Sequence, residues 1–103
     1  MAWFYLLVAG ILEIVWAYTM KQSLGFSRLI PSLITVSTMV ASFWLLALAM
    51  QTIPLGTAYA IWTGIGAVGA FIVGIVFLAE PVSALRLVAI TLIVSGLVLL
   101  KVS

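Results

Sequence analysis

Four stretches of this chain, residues 3–20, 29–50, 55–78 and 85–100, are almost unbroken runs of apolar side chains, and that feature decides its solvent. A helix rising ~1.5 Å per residue needs ~20 apolar residues to cross the hydrocarbon of a bilayer, and each stretch comes close. The linkers KQSLGFSR, QTIPLG and AEPVSALR are short, so consecutive helices are read as antiparallel neighbours. Pro31, Pro54 and Pro81 fall at or near segment starts, where a missing N–H costs least. Only 6% of the 103 residues are charged, against ~25% in a soluble domain, too few to cover a globule in water. The predicted fold is an all-α membrane protein, with residues 1–103 forming a single domain of four short transmembrane helices.

The same scarcity narrows the chemistry. There is no Cys and no His, which removes disulfides, thiolate metal sites and the usual group titrating near neutrality. No metal cluster, nucleophile–base pair or phosphate loop stands in the sequence. The chain is therefore not read as an enzyme, and neither cofactor nor metal is expected. The net charge of +2 rests on too few groups to point to nucleic acid.

Against this background Glu13 is the one charge in the first twenty residues. It falls ~15 Å into its helix, near the bilayer midplane, where a charge costs ~3 kcal/mol or more. The basic residues Lys21, Arg28, Arg86 and Lys101 all stand at segment ends, placed to snorkel to the interface rather than to pair with it. One helical turn away lie Ala9, Gly10, Trp16 and Ala17, which leave space and supply an aromatic wall. Desolvation disfavours the charged carboxylate, so such a group holds a proton in an empty pocket and yields it to an arriving cation. Proton and cation then compete for one site, the physical core of an antiporter.

The third segment carries matching groups. Tyr59 and Trp62 share a helix face, with Thr63 beside them. Aromatic faces attract cations and a Tyr hydroxyl can orient a carboxylate, whereas both rings also suit an interfacial belt. Further along, Gly64, Gly66, Gly69, Ala70 and Gly74 make this helix easy to approach closely and easy to bend. In the second segment Thr35, Thr38 and Ser42 share a face. Ser42 is placed either to hydrogen-bond the Glu13 carboxylate or to bond its own backbone. Ala89 and Gly96 of the fourth segment, which has no mid-depth charge, mark a packing or dimer seam.

Four helices can hardly enclose a sealed path, so two chains around a shared pair of Glu13 groups are expected. Lys21, Arg28 and Arg86 lie on one side and Lys101 on the other, a bias small enough for insertion in both orientations. An antiparallel pair would then supply the logic of an inverted-repeat transporter.

With these residues in view the chain resembles the small multidrug resistance family over essentially its whole length. The resemblance rests on AGILEIVWA, GFSRLIPS, GTAYAIWTGIG and the EP after the third span. It implies a four-helix subunit in an antiparallel dual-topology homodimer of the bacterial cytoplasmic (inner) membrane. It also implies proton-coupled cation export with Glu13 as the shared proton and substrate carboxylate. Gly10 and Trp16 around Glu13, with WTGIGAVGA in the third helix, resemble the guanidinium-exporter branch. SFWLLALA, with Phe43 and Trp44, reads more like the multidrug branch, and AYTMK is more polar than that branch leads one to expect. The expectation is an antiporter of guanidinium-like cations in which Glu13 binds and Ser42 and Tyr59 orient it. Trp16 and Trp62 wall the pocket, while Gly10, Gly64 and Gly66 provide spacing or bending. The alternative is export of quaternary ammonium and hydrophobic aromatic cations.

Overall fold

The computed structural model describes residues 1–103 and consists of four helices joined by short turns. They are α1 (Ala2–Gln22), α2 (Leu29–Ala49), α3 (Leu55–Leu78) and α4 (Ala84–Val102). Each is long and apolar enough to cross a membrane. The prolines punctuate as expected: Pro31 occupies the first turn of α2, Pro54 is the N-cap of α3, and Pro81 precedes α4. Ser83 caps α4 by accepting the amide of Arg86 at 3.2 Å. At the far end of α3, Ala79 turns left-handed at φ 54°, and the amide of Glu80 donates back to the Gly74 carbonyl at 3.0 Å.

The first turn, between α1 and α2, is organised by Ser23, which is fully buried. Its hydroxyl donates to the Met20 carbonyl at 2.6 Å and accepts the Phe26 amide at 3.0 Å. Its carbonyl accepts the amides of Ser27 and Arg28. These bonds hold Leu24, Gly25 and Phe26 in three successive left-handed conformations.

α1 is the hub. It packs most extensively on α2 and next on α3, while the backbone of α4 comes close to α3 alone. The chain forms a slab 41 × 35 × 16 Å. The backbone of α4 meets neither α1 nor α2, so the four helices do not close into a bundle. Only 15 of 103 residues are buried, none of them in α4, and the broad apolar surface is left for lipid or a partner.

Glycines set the register of the parallel α1–α3 contact. A Cβ at Gly10 would lie 2.6 Å from Cγ2 and 2.8 Å from Cβ of Ile65; one at Gly69 would strike Ile14. The spacing given to Gly10 by sequence thus serves close helix approach. Gly64 does the same toward α4, receiving Leu97. Gly10→Ala should cost about 1–3 kcal/mol, because Ile65 Cβ is tied to its own helix and cannot step aside. A fall in thermal unfolding temperature of the purified protein checks it.

Candidate functional site: a carboxyl on a glycine

Glu13 lies near the middle of α1, half-buried, on the face toward α3. Its carboxyl rests on Gly66: a Cβ there would collide with the carboxyl group and lie 2.8 Å from Glu13 Cγ. The absence of a side chain at 66 lets a polar group lie directly on the backbone of the neighbouring helix. Oε1 is buried with no hydrogen-bond partner, and so is Nε1 of Trp16, one turn along α1. A buried polar atom without a partner is costly, so two of them one turn apart single out this spot as the candidate site.

From Trp16, one turn along α1 from Glu13, runs a row of rings drawn from three helices. Trp16 meets Phe43 edge-on at 6.3 Å between centroids, Phe43 meets Trp62 at 5.6 Å, and Trp62 meets Tyr59 at 5.6 Å. Phe43 joins Trp16 to Trp62, and this role was missed in the sequence. Trp44 takes no part and is 69% exposed. Within the row Trp62 is buried, Trp16 half-buried and Tyr59 exposed. The Tyr59 hydroxyl makes no hydrogen bond within the chain, and Thr63 is exposed.

Ser42 differs from expectation. Its hydroxyl is fully buried but donates to the Ala9 carbonyl at 2.7 Å, and accepts the Trp62 Nε1–H at 3.0 Å. It does not hydrogen-bond the Glu13 carboxyl in this arrangement. A hydroxyl between a carbonyl and an indole N–H satisfies both, and pins α1, α2 and α3 together one turn from Glu13. Ser42→Ala leaves the indole N–H and hydroxyl-bonded carbonyl short of a partner. It should lower stability by about 1 kcal/mol, read as a lower unfolding temperature in detergent.

The other hydroxyls on that face of α2 bond backbone. Thr35 donates to the Pro31 carbonyl at 2.8 Å and Thr38 to the Ile34 carbonyl at 2.7 Å. Thr35 also meets the Thr19 hydroxyl at 2.7 Å, which gives the polar tail of α1 a partner on α2. The second carboxylate, Glu80, repeats the pattern of the first, since its side chain lies over Gly74.

A profile of the small multidrug resistance protein matches residues 1–93. The chain belongs to that family. Among similar proteins, the guanidinium exporter of Salmonella typhimurium is 58% identical over 103 residues, covering all of this chain and 98% of that protein. That of Escherichia coli (strain K12) is 56% identical and that of Citrobacter freundii 54%, each over the same 103 residues and with the same coverage. Four apolar helices in a small multidrug resistance protein with bacterial exporters as relatives make this a multi-pass protein of the bacterial inner membrane.

Proposed function

We propose that the protein is a proton-coupled antiporter exporting guanidinium and related small guanidinyl cations by alternating access, and that it works as an antiparallel, dual-topology homodimer. The observation that carries this reading is the Glu13 carboxyl, held at mid-helix on Gly66 with a buried oxygen lacking any partner. A carboxyl there holds either a proton or a cation, because leaving it bare and charged is the costly state. The exchange is simple: the O–H proton leaves to one side and the carboxylate takes the cation that arrives. Guanidinium suits the surroundings, as its planar fork gives charge-assisted hydrogen bonds to a carboxylate and its faces stack on aromatic rings. Relatives bearing the name guanidinium exporter support the same choice.

Three features favour two copies. The four helices do not close around a path, Glu13 Oε1 and Trp16 Nε1 lack partners, and α4 buries no residue while Gly96 faces open space. Phe43 favours a second reading, since a ring continuing the aromatic row also suits larger hydrophobic or quaternary ammonium cations.

The test uses purified protein in liposomes that enclose a pH-sensitive dye. External guanidinium should drive proton efflux and raise the internal pH, with tetraalkylammonium giving the weaker response. A response to the quaternary ion alone would replace guanidinium with the second reading, and silence to both would end the antiporter reading.

A further inference from the structure

α1 and α4 both pack on α3, but their backbones stay apart. Between them lies a cavity of about 470 Å³ at the end of the subunit that carries the chain termini. Ile61 and Ile65 of α3 form its floor, Leu7 stands on the α1 wall and Val98 on the α4 wall. At its mouth Lys101 of α4 reaches across to α1, placing its ammonium 5.0 Å from the centre of the Trp3 ring. We propose that this cleft binds an anionic phospholipid, with an acyl chain laid along α3 and the phosphate on Lys101.

Size selects the occupant. A single helical turn ~10 Å across and ~5.4 Å tall already fills on the order of 400 Å³, so the cleft takes a hydrocarbon chain and not a second helix. Charge selects the headgroup. The chain has only two acids: Glu13 is at mid-helix, and Glu80 follows α3 at the opposite end. Neither acidic side chain therefore competes for Lys101. Trp and Lys at this depth stand at headgroup level, where a snorkelling ammonium meets phosphate. The inference holds whichever cation the protein carries.

The test is native mass spectrometry of the full-length protein titrated with phosphatidylglycerol or with phosphatidylethanolamine of the same acyl chains. Phosphatidylglycerol should bind more tightly. Lys101→Gln should weaken it about fivefold and phosphatidylethanolamine by less, because the ethanolamine ammonium already offsets the phosphate charge. Val98→Trp, which places an indole in the cleft from a side chain 56% exposed, should weaken both. Equal binding of the two lipids, or no effect of Val98→Trp, would overturn the site. In native membranes, a benzophenone side chain introduced at position 7 should give, on illumination, an adduct of lipid mass. A chain-to-chain adduct would instead make this face a contact with a second copy, and the lipid site would be rejected.

Discussion

Glu13→Gln should reduce guanidinium-driven proton movement in liposomes to the level of protein-free vesicles. Gln has nearly the shape of Glu and reaches the same place on Gly66, but it neither carries a removable proton nor balances a cation. Stability should not fall, because a neutral amide is cheaper in hydrocarbon than a group that must sometimes be charged. Loss of coupled flux with an unchanged or higher unfolding temperature would separate transport from folding. Proton-coupled transport surviving in this variant would remove Glu13 from the mechanism. Uncoupled guanidinium leak would show that the carboxyl couples the ions without being required for passage.

Gly66→Ala should lower transport by on the order of 10–100-fold. One methyl group at this position occupies the space of the Glu13 carboxyl, which must then shift by about an ångström. Misplacement on that scale is enough to spoil a site that depends on orientation. The fold should suffer less than in Gly10→Ala, because the atoms in the way are the end of a side chain that can swing aside. The two variants thus make a pair: Gly10→Ala acts chiefly on unfolding temperature and Gly66→Ala chiefly on flux. If Gly66→Ala transported normally with full coupling, the seat of the carboxyl on α3 would be incidental.

The four helices were legible because a membrane-spanning helix announces itself by length and apolarity, with no need to know which face is inside. Glu13 was legible for the same reason, as a lone polar group where polarity is costly. Its surroundings were only partly so. Periodicity tells which residues share a face of one helix, and so gathered Thr35, Thr38 and Ser42. It does not tell how two helices are set in height, and Ser42 consequently faces Ala9 and Trp62 and not the carboxyl. The glycines of α3 were visible as a row of small residues. That one receives Glu13, another Ile14 and a third Glu80 depends on inter-helix register, which no single segment carries. Phe43 shows the same limit. Next to Trp44 in sequence, it looked like half of a bulky pair, yet one ring joins the aromatic row and the other faces outward.

The bond from Ser42 has a mechanical meaning for α1. In a regular helix the Ala9 carbonyl accepts the amide four residues on, which is that of Glu13. Here the same oxygen also accepts the Ser42 hydroxyl. A carbonyl divided between two donors grips each less firmly, and helices flex where an outside group enters the ladder. One rung of α1 that is softened in this way is the one that holds the backbone of Glu13. A helix weakened there can tilt its carboxyl a small way without unwinding, much as a rod bends first at a notch.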